Sequence, residues 1–259
     1  MSVDVHSTAV VAAGARLADG VRIEPFAVVG ADVELGRGTT VGAHAQLEGP
    51  AVFGENNRIF PHAVLGFEPQ DLKYRGEPTR LVVGSRNVFR EFSTVHRGTA
   101  TGHGETTIGD DNYVMAYAHV AHDCRVGSGT VFANCASVAG HVEVGDRAIL
   151  SAFAAVHQFV RVGRAAFVGA FAQCRQDILP FCKTDGVDAK TYGINTIGLK
   201  RQGLPDETIE ALQKAYRLLV KSKLNTTQAI ERIEKEIPPD PAVGELVRFI
   251  RESKRGFHR

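Results

Sequence analysis

Residues 108–126 read IGDDNYVMAYAHVAHDCRV, and within them Ile108, Val114, Val120 and Val126 stand six apart. Neither an amphipathic helix, with its period of 3.6, nor an alternating strand, with its period of 2, produces that spacing. Downstream the period continues without a miss through Phe132, Val138, Val144, Leu150, Val156, Val162 and Val168 to Cys174. Upstream it begins at Val5 and runs through Val11, Leu17, Ile23, Val29, Leu35, Val41, Leu47, Phe53 and Ile59 to Leu65. Two stretches interrupt it. In GFEPQDLKYRGEPTRLV, residues 66–82, Asp71 and Glu77 stand where apolar anchors belong, and the pattern resumes at Val83, Phe89 and Val95. The step from Leu65 to Val83 is 18 residues, which keeps the phase; near TGHGETT the step from Val95 to Ile108 is 13 rather than 12.

A self-repeat of six is the signature of a triangular parallel β-helix, in which each hexad supplies one short strand and one corner and three hexads make a coil of 18. The anchor points inward, and the small residues and glycines that flank many anchors suit the tight corners. Successive coils then stack about 4.8 Å apart through ladder hydrogen bonds. The period is absent from about residue 190, where Pro205-Asp206-Glu207-Thr208 opens a helical pattern with Ile209, Leu212, Ala215, Tyr216, Leu219 and Val220 on one face. Further helices are predicted over about 227–237 and 243–253. The expected architecture is mainly β: a β-helix over residues 1–189, with loops at 66–82 and 100–106, followed by a small α-helical domain over 190–259.

No apolar run approaches the 18 residues of a membrane span, and MSVDVHSTAV lacks the basic and apolar regions of a signal peptide. Cys124, Cys135, Cys174 and Cys182 form no CxxC pair, so reduced, buried thiols in a cytoplasmic protein are expected. The net charge of +1 conceals an asymmetry: residues 1–189 hold 16 Lys+Arg against 20 Asp+Glu, whereas residues 190–259 hold 14 against 9. A basic C-terminal module suggests an acidic partner. Nucleic acid is not expected, because the basic residues are neither clustered nor interleaved with aromatics.

The coil length gathers the histidines. Val120, Val138 and Val156 lie one coil apart, with His122 two residues past the first, His141 three past the second and His157 one past the third. His119 precedes the same strand. Four imidazoles should therefore share one patch, with Asp123 beside His122 and Gln158 beside His157. Such a cluster suits a metal site, since imidazole is a common zinc ligand, or a general base, since imidazole titrates near neutral pH, or plain surface groups.

The motifs QDLKYRGEPT (70–79), HRGT (96–99), AHVAHDC (118–124), AGHV (139–142), AVHQF (155–159) and GLKR (198–201) together resemble the bacterial UDP-N-acetylglucosamine acyltransferases of lipid A synthesis, over nearly the whole chain. The resemblance implies a left-handed coil and a homotrimer with active sites between subunits. It implies transfer of an (R)-3-hydroxyacyl group from acyl carrier protein to the 3-hydroxyl of UDP-N-acetylglucosamine. The family's base matches His122, with Asp123 as a candidate orienter, and its oxyanion donor matches the Gly140 backbone N–H. Its UDP-sugar contacts match Asp71, Lys73, His119, His141, His157, Gln158, Asn195 and Arg201, with Gln70 beside them, and its acyl-length ruler matches Ala170. No metal and no cofactor are implied, because phosphopantetheine arrives on the carrier protein, and no Ser or Cys nucleophile is paired with a base.

Two positions depart from the family pattern: Ile197 replaces a Glu, and Gln202 replaces an Arg. Both lie in the nucleotide-binding stretch and admit a 3-amino UDP sugar as acceptor, which would make the product an amide. The related N-acyltransferases of later steps usually carry an extra N-terminal domain, whereas here the repeats start at Val5. A zinc-dependent hexapeptide-repeat carbonic anhydrase and a catalytically silent β-helix scaffold are the other readings, and the scaffold leaves the histidine cluster without a purpose.

Overall fold

The computed structural model describes residues 2–259. The anchors do what their period requires. Each hexad contributes a strand of two to four residues whose anchor is buried, from Ile23 through Val168, and the strands form three sheets of eleven, nine and eight strands, parallel except at the last strand of the first. The sheets wind as a left-handed parallel β-helix closed by a small helical segment. Where no loop intervenes the register between coils is 18 residues: Val120 pairs with Val138, Val138 with Val156 and Val156 with Cys174. Phe132, Leu150 and Val168 form the corresponding column on another sheet.

Corners carry a conformational cost that the ladders must offset. Phe26, His44, His62, Phe92, Tyr117, Cys135, Phe153 and Phe171 take positive φ at one corner, and Asp123, His141 and Phe159 do so at another. A left-handed non-glycine residue costs about 1–2 kcal/mol. The arrangement persists because strands on both sides hold each corner in place. At the first corner the exposed rings of Phe26, His44, His62, Phe92 and Tyr117 stack at about 5.0 Å, making an outward-facing aromatic column.

The two interruptions are insertions, and neither preserves the coil in the way the spacing suggests. Leu65 and Val83 are not stacked. They belong to different sheets, since Leu65 pairs with Val95 and Val83 with Phe53. The 18-residue step is one hexad plus a loop between the strands Val64–Phe67 and Arg80–Val83. Likewise the step near TGHGETT is not a one-residue slip but a longer loop between Thr94–His96 and Glu105–Ile108. A buried amide ladder holds register across both. Asn57 Oδ1 accepts from Asn87 N across 30 residues, Asn87 Oδ1 from Asn112 N across 25, and Asn112 Oδ1 from Thr130 N across 18.

After Cys174 the chain turns into an antiparallel hairpin, Cys182–Asp185 with Lys190–Ile194, whose first strand still pairs with Phe167–Val168. Four helices follow: α1 (Thr196–Arg201), α2 (Asp206–Tyr216), α3 (Thr226–Glu236) and α4 (Pro241–Arg251). The sequence reading lacks α1, whose six residues are too short for a periodic signal. A π-helical turn over Arg217–Lys221 extends α2 and buries Leu219, while Val220 stays half-buried. Local chemistry sets the ends. Asn225 and Gln228 form a capping box on α3, and Asp240 Oδ1 accepts from Ala242 N and Val243 N with Pro241 in the first turn of α4. The inner faces of α2–α4 share one core with Leu179, Phe181 and Cys182, so the helices cover the last coil.

Phe132 is fully buried in the prism. Phe132→Ala should cost about 3–5 kcal/mol of stability, read as a lower urea midpoint. Asp240→Ala should cost only about 1 kcal/mol.

Candidate active site

Asp123 organises the site. It occupies a left-handed corner, is 1% exposed, and both its oxygens are engaged. Thr99 Oγ1 donates to Oδ2 at 2.6 Å, Thr99 N donates to both oxygens at 3.1 Å, His103 N donates to Oδ1 at 2.8 Å, and His122 Nδ1 lies 2.8 Å from Oδ2. Burial alone would raise the carboxyl pKa. The hydrogen bonds from Thr99 and His122 outweigh it and hold the group below the ordinary carboxylate range. An ionised carboxylate only accepts hydrogen bonds, so the His122 Nδ1 carries the hydrogen and Nε2 is left with a free lone pair.

The neighbouring coil closes over that imidazole. Gly140 lies against the ring: a Cβ there would sit 2.5 Å from His122 Cε1 and 2.7 Å from Nε2. Any side chain would therefore displace the imidazole. His141, also at positive φ, crosses His122 edge-to-face with centroids 5.2 Å apart and stacks on Phe159 at 4.4 Å. Burial lowers its pKa, and the neighbouring His122 and His103 rings add to this against the pull of Asp123. The different offsets of His122 and His141 within their hexads explain why the rings cross rather than stack.

The insertions form the mouth of the cavity. Loop 68–79 contributes Gln70, Asp71 and Lys73, and the second loop contributes Thr101, Gly102 and His103. Asp71 Oδ1 accepts from Lys73 N, a local turn that leaves the lysine side chain free to point outward. The first loop is tied down by Arg97, which is buried, donates to the Gly49 and Gly66 carbonyls and to the Tyr74 hydroxyl, and lies 5.7 Å from the Tyr74 ring.

Not every expected residue meets here. His122, Asp123, Gly140, His141, Gln158, Gln70, Asp71 and Lys73 converge. His119 lies on the sheet face behind them, hydrogen-bonded to Thr94 Oγ1 and edge-on to His96. His157 is exposed and turned toward the Gln158 carbonyl and Arg255. Asn195 caps α1 and donates to the Ala165 carbonyl, and Arg201 ends the same helix, so neither lines this cavity within one chain. Ala170 is exposed at the aromatic corner next to Phe171. Residues absent from the sequence reading also line the cavity: His103, Phe159, Lys254 and Arg255. The break in period at TGHGETT was the one available signal for His103; the tail carried none.

His122, Asp123 and His141 offer ligand atoms within 4.8 Å of one another, a spacing a metal ion could use. The donor set fits one poorly, since the Asp123 oxygens already accept from Thr99, His103 and His122 and a metal would have to displace those bonds. The cysteines are free; burial pushes Cys124, Cys174 and Cys182 up to about 12, which suits packing rather than nucleophilic attack.

The chain is similar to known proteins over nearly its full length. A family model described as "Udp N-acetylglucosamine O-acyltransferase; Domain 2" matches residues 177–258, and a bacterial transferase hexapeptide model matches 14–49 and 105–140. The acyl-[acyl-carrier-protein]–UDP-N-acetylglucosamine O-acyltransferase of Thermodesulfovibrio yellowstonii is 46% identical over 256 residues, covering 99% of each chain. That of Halorhodospira halophila is 47% identical over 255 residues, covering 98% of this chain and 99% of the other. The solved UDP-N-acetylglucosamine acyltransferase of Bacteroides fragilis superposes with a TM-score of 0.96 at 38% identity, covering 98% of this chain and 99% of that one.

His96, His119, His141 and His258 are all held below the ordinary imidazole range, with burial the largest cause in each, and His96 reaches about 4. A lowered folded pKa means that the unfolded chain takes up the proton first. Stability should be complete above about pH 6.5 and decline as pH falls toward 4. Urea midpoints measured across that window would show the decline, and NMR titration should find the His96 ring still neutral at pH 6.

Proposed function

We infer the reaction from the chain's membership of the acyl-[acyl-carrier-protein]–UDP-N-acetylglucosamine O-acyltransferase family, to which its full-length kinship assigns it. It is an acyltransferase of the lipid A pathway, using acyl carrier protein as donor and UDP-N-acetylglucosamine as acceptor. The finer reading is ours: an (R)-3-hydroxyacyl group moves to the 3-hydroxyl of the sugar, with His122 as general base. The observation that carries it is the His122–Asp123 pair, which leaves Nε2 as the acceptor of a ring that lines the cavity.

The acceptor hydroxyl gives its proton to His122 Nε2 as its oxygen attacks the thioester carbon. Asp123 stabilises the imidazolium through Nδ1 and keeps its own charge. The carbonyl oxygen becomes an oxyanion, for which the Gly140 N–H is the preorganised donor. Among the described residues no group accepts a hydrogen bond from that amide. When the intermediate collapses, the C–S bond breaks, and the pantetheine thiolate leaves and takes the proton from His122. Ester and free thiol balance the step. No cofactor beyond the carrier's own phosphopantetheine is needed, and no resident metal. In this reading Gln70, Asp71, Lys73, His141 and Gln158, which line the same cavity, hold the UDP sugar.

Asn195, Arg201, His157 and Ala170 fit the same reaction if a second copy brings them to the cavity. The exposed Phe26–Tyr117 aromatic column, with its Phe26, Phe92 and Tyr117 rings, and the Phe153–Phe171 stack support that reading, since large exposed rings in a row mark a surface that a partner covers. We therefore propose a cytoplasmic homotrimer with active sites between subunits. Ile197, exposed at the start of α1, and Gln202, whose buried side-chain oxygen has no partner, favour one second reading: a 3-amino UDP sugar as acceptor, with an amide product.

With purified protein, (R)-3-hydroxyacyl carrier protein and either acceptor, mass spectrometry should detect the ester, and His122→Ala should slow its formation by about 10²–10⁴-fold. An unchanged rate would remove His122 from the mechanism, and amide alone would transfer the assignment to the amino sugar. Ala170→Gly should shift the products toward longer acyl chains and Ala170→Met toward shorter ones. Identical product profiles would remove Ala170 as the ruler.

A further inference from the structure

The C-terminal tail is fastened to the last coil in a way that the reaction above does not use. Asp177 N donates to the Gly256 carbonyl, His258 N to the Asp177 carbonyl, and Thr191 Oγ1 to the His258 carbonyl at 2.6 Å. Phe257 is buried. The central fastening is the His258 ring. Its Nε2 accepts from both Arg175 N and Gln176 N at 3.1 Å, replacing the carbonyl that a further coil would have offered. Gln176 Nε2 in turn donates to the Arg255 carbonyl, and Gly256 turns the chain at φ +71°. The backbone from Arg255 to His258 is thus tied to the last coil.

That fastening places two cations on the rim of the His122 cavity. Lys254 and Arg255 line it together with Lys73. Arg161, also on the rim, is already committed to Asp177 and Glu252. Among the described residues Lys254 and Arg255 have no carboxylate partner; Arg255 reaches only His157 Nδ1 and the Arg175 carbonyl, each at 3.5 Å. Two unpaired cations on a fixed strap beside a polar cavity suit a phosphate, which a planar guanidinium can bind through two oxygens.

We propose that Lys254 and Arg255 are a phosphate-binding pair for the transfer reaction, and that His258 is the positioning residue that holds them at the cavity. The proposal rests on the acyl-transfer reading. Two substrates of that reaction carry the required chemistry: the diphosphate of the UDP sugar and the phosphate of the carrier's pantetheine arm.

The test separates these sources and separates the pair from the reaction. UDP-N-acetylglucosamine and holo-acyl carrier protein are each titrated calorimetrically into the full-length wild type, Lys254→Ala and Arg255→Ala, and KM is measured for each substrate with the other saturating. Arg255→Ala should weaken binding of one of them about tenfold or more and raise its KM more than it lowers kcat. Weakened nucleotide binding assigns the pair to the diphosphate; weakened carrier binding assigns it to the pantetheine phosphate. His258→Ala should raise the same KM, add nothing to Arg255→Ala in the double variant, and be rescued by His258→Gln, whose side-chain oxygen can accept the same amides. If both affinities and both KM values stay at wild-type levels in Arg255→Ala, the pair is overturned. If His258→Ala lowers the melting temperature without moving KM, the positioning role is overturned; should that variant not fold, a raised KM in His258→Gln overturns it instead. A wild type that binds both substrates yet forms no product overturns the reaction and leaves the pair standing.

Discussion

Every placement in this molecule depends on the parallel ladder that stacks each coil on the next, residue i on i+18, or on i+30 and i+25 where a loop is inserted. The ladder buries one apolar side chain per hexad and satisfies the strand backbone in the same step, so core and hydrogen bonding are a single structure. It also makes the corners superpose. A side chain just past the anchor of one coil must therefore lie one coil spacing from its counterpart in the next. The counterpart of His122 is Gly140 and that of Asp123 is His141, so the next coil sets the His141 ring edge-to-face against His122.

The ladder also explains how the chain can afford its irregularities. Two loops are inserted between strands, and the Asn57–Asn87–Asn112–Thr130 series carries register through the coils that contain them. The second loop returns to the prism through Asp123, whose carboxylate binds Thr99 and the His103 amide as well as His122. One buried charge thus fixes the tautomer of His122 and seats a wall of the cavity. A carboxylate removed from water is unfavourable unless its oxygens are satisfied, and here both are.

At the C-terminal end the ladder has to stop. Helices α2–α4 and the hairpin cover the last apolar layer, while the open backbone amides of Arg175 and Gln176 are met by the His258 ring. The ending of the prism and the placing of cations at the cavity are the same set of bonds.

The six-residue period was legible in the sequence because burial of one face at every turn leaves an apolar mark at a fixed interval, and the column of Val120, Val138 and Val156 followed by counting. So did the proximity of His122, Asp123 and His141. Loop lengths were not legible in the same way. A gap of 18 between Leu65 and Val83 counts equally as one coil or as one hexad with an insertion, and only the pairing of strands distinguishes them. Helix α1 was too short to leave a period. His103 and Arg255 reach the cavity through a loop seated on a buried carboxylate and a tail tied to the last coil by the His258 ring and neighbouring backbone bonds. Those contacts join residues distant in sequence and leave no periodic trace. The sequence by itself determined the repeat, and with it the place of His122; the tertiary structure alone decided what surrounds that ring, because loops and tails are positioned by a few long-range polar contacts rather than by a repeated apolar pattern.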